Sequence, residues 1–134
     1  MANGTIAFDT LSTSGQISGT AKSLDTDYVV NGSAKSWIDV SVLGDSILDS
    51  LNVSSLDDDG VGDRGINYVN SFSTTNSSIC LGVDDNTSNA NILTDVTNGT
   101  RTTGGFDVEC YYVGASGRVL YDTRNHSSVH GDLA

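Results

Sequence analysis

Short runs in which apolar and polar residues alternate, separated by turns rich in glycine, asparagine and aspartate, recur from residue 34 to the end of the chain. In residues 36–42, Ile38, Val40 and Val42 share one face of a strand and Trp37 lies on the other. Residues 65–72 and 106–113 alternate in the same way. No segment of 10–12 residues has the 3.6-residue apolar period of an amphipathic helix. The pattern therefore predicts an all-β fold, an antiparallel β-sandwich or knob.

The turns between these runs have a recognisable chemistry. Residues 57–63 read Asp-Asp-Asp-Gly-Val-Gly-Asp, and aspartate followed by glycine between two alternating runs is a strong hairpin signal. The chain contains no proline, so the edge strands of the sheets must be protected in some other way. The last run, residues 127–134, predicts one more short strand.

The first 33 residues differ from the rest of the chain. Residues 4–8 predict a short strand, residues 11–22 are rich in serine, glycine and threonine, and Asn31-Gly32 is a turn signal. A segment of this composition buries too little apolar surface to fold alone. We therefore expect residues 1–33 to form an extended N-terminal arm and residues 34–134 to form the β-sandwich knob.

The charge balance argues against two classes of partner. The chain has 17 acidic and 6 basic residues and a formal net charge of −11. Such a chain repels nucleic-acid phosphates and anionic membranes, so neither is an expected partner. No apolar run approaches the ~20 residues that span a bilayer, and the N-terminus does not resemble a secretory signal. We therefore expect synthesis in a cytoplasm and no membrane insertion.

The two cysteines, Cys80 and Cys110, lack the spacing of metal ligands and are too few for a disulfide scaffold. Each lies inside an apolar, strand-like run. We expect both to be small buried hydrophobic residues, with a Cys80–Cys110 bridge as the open alternative.

No constellation of residues indicates catalysis or a metal site. The only histidines, His126 and His130, lie close to the C-terminus, and the many aspartates fall mostly in turns. The acidic residues 57–63 resemble part of a calcium loop, but Tyr68 occupies the position of the bidentate glutamate. We predict a hairpin turn there, with calcium binding left open. The sequence therefore predicts no enzyme and no catalytic, cofactor-binding or metal-ligating residue.

Two tyrosines are candidates for contact with other molecules. Alternation places Tyr111 on the face opposite Phe106 and Val108, and Tyr121 lies in the following run. An exposed ring can stack on the apolar face of a sugar or pack against a neighbouring subunit. The sequence leaves both interpretations open.

Three phrases of the sequence resemble tail-fibre and related structural proteins of marine and freshwater bacterial viruses, including viruses of cyanobacteria. They are NGSAKSWIDV at residues 31–40, SLNVSSLDDDGVGDRGINYVNSF at residues 50–72, and SSVHGDLA at residues 127–134. Their order and spacing agree with that family. One departure is Asp63-Arg64-Gly65-Ile66, where family members have Asp-Tyr; it suggests a strand that starts later or contains a bulge.

The resemblance implies a homotrimeric β-rich knob in a virion, made in the host bacterial cytoplasm. The expected function is that of a short tail fibre or fibre-like subunit in host attachment. The arm would contact other virion proteins, and a host surface polysaccharide is a candidate partner. A capsid decoration protein (head fibre or cement) is the alternative, and a sugar-degrading tail spike is the third.

Overall fold

The structure is a computed structural model that describes residues 16–18, 23–43, 46–84 and 92–134. The chain divides into two compact units, residues 1–33 and 34–134.

The described part of the first unit contains two short strands and a helix. Strands β1 (Gln16–Ser18) and β2 (Ser23–Asp25) pair antiparallel, and helix α1 (Thr26–Gly32) follows directly. The sequence predicted no helix here, and the predicted strand at residues 4–8 lies outside the described residues. A seven-residue helix spans about two turns, too few for a 3.6-residue apolar period to be recognised. The expected Asn31-Gly32 turn is instead the end of α1.

The second unit consists of two antiparallel sheets. The strands are β3 (Ser36–Val40), β4 (Ile47–Leu51), β5 (Val53–Gly60), β6 (Asp63–Tyr68), β7 (Ser78–Val83), β8 (Ile92–Val96), β9 (Gly105–Gly114), β10 (Gly117–Leu120) and β11 (Asn125–His130). Sheet I has the strand order β4-β3-β11-β7, and sheet II contains β5, β6, β9, β8 and β10. In sheet II, β6 lies between β5 and β9; β6 and β10 pair with successive parts of one edge of β9, while β8 pairs with the other edge.

The hydrophobic core is formed by the facing sides of the two sheets, as alternation predicts. Sheet I contributes three aliphatic side chains that are at most 1% exposed, and sheet II contributes aliphatic and aromatic ones. The cluster comprises Ile38, Val40 and Val129 from sheet I, Ile66, Tyr68, Phe106 and Val108 from sheet II, and Phe72 from the following loop. The predicted all-β antiparallel sandwich is thus confirmed.

The β5–β6 hairpin is where the sequence placed it, but its turn is shorter than expected. The aspartates of residues 57–59 belong to β5, and only Val61 and Gly62 lie between the strands. Gly62 has a φ of 70°, and a Cβ there would lie 2.6 Å from the Tyr121 amide nitrogen. Strand β6 begins at Asp63, so the unusual Asp-Arg-Gly sequence does not delay it. The register is irregular at two places in β5, between Val53 and Ser55 and between Asp58 and Gly60.

Asn52 forms the corner where the chain passes from β4 of sheet I to β5 of sheet II. Its φ of 57° is left-handed, a conformation that asparagine tolerates better than most residues. Its side-chain oxygen accepts from the Asn70 amide N–H at 2.7 Å, and its side-chain nitrogen donates to the Asn70 carbonyl at 3.1 Å. These bonds fix the corner.

The last strand is central rather than peripheral. Strand β11 runs from Asn125 to His130 and pairs with β3 on one side and β7 on the other. Beyond it, Leu133 forms an isolated bridge with Phe72, and the Ala134 amide N–H donates to the Ser71 carbonyl. The strand predicted at residues 127–134 therefore begins two residues earlier and ends four residues earlier, in the interior of sheet I.

The two cysteines lie in different sheets and are not bonded to each other. Cys110 on β9 is fully buried, as predicted, whereas Cys80 on β7 is exposed. The prediction of burial is wrong for Cys80, because its strand turns Ile79 and Leu81 toward the core and Cys80 toward solvent. In the described part of the chain, no helix has the length and apolar character needed to cross a membrane.

Candidate functional site

The outer face of sheet I contains a surface depression of about 540 Å3. It lies over strands β3, β11 and β7, on the side of the sheet opposite the core. Alternation along each strand determines which side chains reach it. Those are Trp37 and Asp39 from β3, His126 and Ser128 from β11, and Cys80 and Gly82 from β7, with Asp84 and Arg124 at one end.

The depression exists because small residues lie beside large ones in register. Trp37 pairs with Ser128, which pairs in turn with Cys80. In the neighbouring row Asp39 pairs with His126, and His126 with Gly82. The serine and the cysteine leave a low floor beside Trp37, and the glycine leaves room for the His126 ring.

Gly82 has a specific steric role in this floor. A Cβ at this position would overlap Nε2 of His126, so the imidazole lies directly over the glycine. Because Gly82 has no side chain, the His126 ring packs against β7 and does not project away from the sheet.

A charged group of three side chains closes one end of the depression. Arg124 donates from Nε to Asp39 Oδ1 at 2.9 Å, and its Nη2 donates to Asp39 Oδ2, which gives a bidentate pair. The carboxylate of Asp84 lies 3.7 Å from Arg124 Nε. The backbone is held as well, because the Thr123 hydroxyl donates to the Asp84 carbonyl at 2.6 Å.

The protonation of Asp39 follows from this pairing. The hydrogen bond from Arg124, more than any other interaction, holds the pKa of the Asp39 carboxyl below its ordinary value. A general acid for glycoside cleavage needs a raised pKa, so Asp39 is suited to accepting hydrogen bonds rather than to donating a proton. The Arg124 pair therefore keeps Asp39 ionised, as a hydrogen-bond acceptor at this end of the depression.

The two tyrosines that the sequence singled out lie elsewhere, on or next to sheet II. The guanidinium carbon of Arg118 lies 3.8 Å from the centre of the Tyr111 ring and covers one of its faces. The Tyr111 hydroxyl donates to Asp95 Oδ2 at 2.7 Å, and Tyr121 packs edge-on against Tyr112. Intramolecular contacts therefore hold both rings, and the structure does not bring them together with the depression.

The acidic residues of β5 form a group on the outer face of sheet II. Asp57, Asp59 and Asp107 surround Gly65, where a Cβ would lie 3.3 Å from Asp107 Oδ1. Burial and the neighbouring carboxylates of Asp59, Asp63 and Asp57 raise the pKa of Asp107. Within the described ranges, no three His, Cys, Asp or Glu side chains have the geometry to hold a metal ion.

A buried polar cluster lies between the sheets at one end of the sandwich. Arg64 is 1% exposed, and its Nη2 lies 3.0 Å from Asp122 Oδ1, which also accepts from the Gly62 amide N–H at 2.7 Å. The Asn125 side-chain nitrogen is 3.4 Å from Cys110 Sγ. Burial raises the pKa of the Cys110 thiol, which keeps it protonated and unreactive.

Sequence reasoning placed Trp37 on the outer face but missed the rest of the site. Asp39 lies two residues further along β3, so alternation could have placed it beside Trp37. No local signal could have found Arg124 or Gly82, because they reach the site only through long-range strand pairing.

Comparison with known proteins gives no match to this chain among protein-family models, curated proteins or solved structures.

Proposed function

We propose that this chain is a structural, non-enzymatic subunit of a bacteriophage particle, a short tail fibre or fibre-like subunit in host attachment. The observation that carries the proposal is the depression on sheet I, where a rigid sandwich presents an indole ring and a charged group to the outside. The outer faces of a sandwich serve recognition well because the core behind them holds their side chains in place.

The three phrases that resemble fibre proteins come together in the fold. Residues 31–40 include β3, residues 127–134 include most of β11, and these two strands pair at the centre of sheet I. Residues 50–72 contain the β5–β6 hairpin of sheet II. The first and third phrases thus supply strands that pair with each other in sheet I, and the second supplies a hairpin of sheet II.

Exposed apolar side chains near β4 support association into a trimer. Leu48 and Leu51 on this edge strand are 54% and 48% exposed, and Leu43 before it is 68% exposed. An edge strand with apolar side chains is a template for association, and closed symmetry would cover it in every copy. In this proposal residues 1–33 form the arm that contacts other virion proteins.

Two alternative functions remain: a capsid decoration protein and a sugar-degrading tail spike. A capsid decoration protein would use the same sandwich and the same edge for attachment to the head. A sugar-degrading tail spike would need a carboxyl group that donates a proton, and the lowered pKa of Asp39 argues against that role at the depression.

Immunogold labelling of intact particles with an antibody against this chain tests the proposal. The particles are purified from a lysate of bacterial cells infected by the virus that encodes this chain. Gold at the tail or its fibres supports host attachment. Gold spread over the head makes the chain a capsid decoration protein, and particles without gold contradict a place in the virion.

A further inference from the structure

We propose that the depression on sheet I binds an uncharged saccharide of the host surface, with Trp37 as the stacking surface and the Asp39–Arg124 pair as the hydrogen-bonding group. This inference rests on the proposed attachment function, for which it names the ligand class and the binding residues.

The aromatic part of the site is Trp37. Its side chain is partly exposed on the outer face of sheet I. A pyranose ring has one face lined with C–H groups, and an indole provides a flat apolar surface of similar size. Stacking on Trp37 would place the hydroxyl groups of the sugar at the rim of its ring.

The polar part of the site is the Asp39–Arg124 pair. The two side chains hold each other in a bidentate arrangement, yet they are 25% and 41% exposed and keep hydrogen-bonding capacity toward solvent. A planar acceptor beside a planar donor suits two adjacent hydroxyl groups, each of which donates one hydrogen bond and accepts another. Because the pair is already fixed, binding costs little side-chain entropy.

The dimensions agree with a short oligosaccharide. Trp37 and Arg124 are separated by four residue positions along the sheet, about 13 Å, and the three strands beneath span about 10 Å. Ser128 and Cys80 form the low floor level with Trp37, and the row between Trp37 and Arg124 holds Asp39 and the His126 ring over Gly82. A chain of linked sugars could therefore contact the indole with one ring and the charged pair with another.

Local charge selects against acidic sugars. Asp39 and Asp84 line the depression and Asp49 lies opposite Asp39 on β4, so three carboxylates accompany one guanidinium and the His126 imidazole. The whole chain adds to this with its net charge of −11. Uronic acids, sialic acids and phosphorylated sugars would be repelled, whereas neutral hexoses would not.

The chain contains a single tryptophan, so its fluorescence reports on this site alone. The experiment applies the full chain to an array of neutral and acidic glycans and then titrates the neutral oligosaccharides that bind. We expect a change in Trp37 emission that saturates with the ligand. A weak affinity of the single site is sufficient for attachment, because several copies on one particle would bind together with a much higher avidity.

Two test variants and one control variant distinguish the loss of the proposed contacts from a general loss of folding. Trp37→Ala and Asp39→Asn, measured by calorimetry, should weaken binding roughly tenfold or more. The matched control is Tyr111→Phe, which keeps an aromatic ring on sheet II and should bind like the unmodified chain. Circular dichroism of each variant verifies that the sandwich is folded.

Cys80 offers a test that removes no side chain. It is an exposed thiol in the floor of the depression, whereas Cys110 is fully buried, so a maleimide added to the folded chain should modify Cys80 alone. The bulky adduct fills the floor and should abolish saccharide binding. The Cys80→Ser variant should bind normally and should keep binding after the same treatment.

Failure of this inference differs from failure of the proposed function. If no neutral glycan binds, or if binding survives both the Cys80 adduct and Trp37→Ala, the saccharide site is wrong, whatever the gold labelling shows. Preference for acidic glycans would also overturn it. Gold absent from particles, combined with saccharide binding at Trp37, would overturn only the virion assignment.

Discussion

The buried ion pair between Arg64 and Asp122 makes a quantitative prediction. Asp122→Ala leaves the Arg64 guanidinium, 1% exposed, without this carboxylate and also removes the acceptor of the Gly62 amide N–H. Removing one partner of a buried pair costs ~3–5 kcal/mol. Asp122 is 35% exposed, so water can partly replace it, and we expect a loss of about 3 kcal/mol in the free energy of unfolding.

The opposite deletion should cost less, and this asymmetry tests the reasoning. Arg64→Met removes the buried charge and leaves Asp122, which can be hydrated at the surface. We expect a loss below about 1.5 kcal/mol for Arg64→Met. The double variant should then be more stable than Asp122→Ala, because the buried charge that lost this carboxylate is gone. Asp122→Asn keeps the acceptor for Gly62 and should be about 1 kcal/mol less harmful than Asp122→Ala.

Urea unfolding followed by Trp37 fluorescence measures these differences, provided that the m-values agree among the variants. A loss of 3 kcal/mol corresponds to a Tm lower by about 12 °C or more for a domain of this size. Equal losses for Asp122→Ala and Arg64→Met, or losses below about 1 kcal/mol for both, would refute the argument from the buried charge of Arg64.

Three further predictions concern backbone geometry and charge. Burial and the neighbouring carboxylates raise the pKa of Asp107 above 3.8, so the folded chain binds more protons than the unfolded chain just above that pH, and stability falls as the pH rises through this window. Asp107→Asn should therefore stabilise the fold at pH 7 by a few tenths to about 1 kcal/mol, with no gain below pH 3.8. Asn52→Gly loses the side-chain hydrogen bonds but adopts the left-handed backbone without strain. Asn52→Ala loses the same bonds and is also strained in that conformation, so its loss in free energy of unfolding should be about 1 kcal/mol larger. A Cβ at Gly105 would overlap the Ile66 carbonyl oxygen, so Gly105→Ala should cost about 1–3 kcal/mol, whereas Gly104→Ala next to it should stay within about 0.5 kcal/mol.

A specific result would contradict each of these three predictions. A gain from Asp107→Asn that persists at pH 3 would mean that charge is not its cause. Equal stabilities of the Asn52→Gly and Asn52→Ala chains would remove the argument from backbone strain. Equal effects at Gly104 and Gly105 would show that a methyl group at residue 105 fits between β9 and β6. Chemical unfolding monitored by circular dichroism measures all three.

The sequence alone predicted the class of fold and the face on which most side chains lie. Alternation placed Ile38 and Val40 inside and Trp37 outside, and Asp-Gly placed the hairpin before β6. These features are local, because side-chain direction in a strand depends only on the position along that strand. The helix α1 escaped prediction since it is too short to show its period.

Only the tertiary structure decided which strands are neighbours. Nothing local to β11 indicates that it lies between β3 and β7, and that position is what places His126 over Gly82 and Arg124 beside Asp39, 85 residues away in sequence. Burial of Arg64 was equally hidden, because an arginine in an alternating run normally predicts a solvent-facing position. Strand order is determined by the packing of the whole core, whereas each strand's own pattern determines only its two faces. The candidate binding site depends on strand order, and for that reason the sequence predicted the sandwich but not the depression on its outer face.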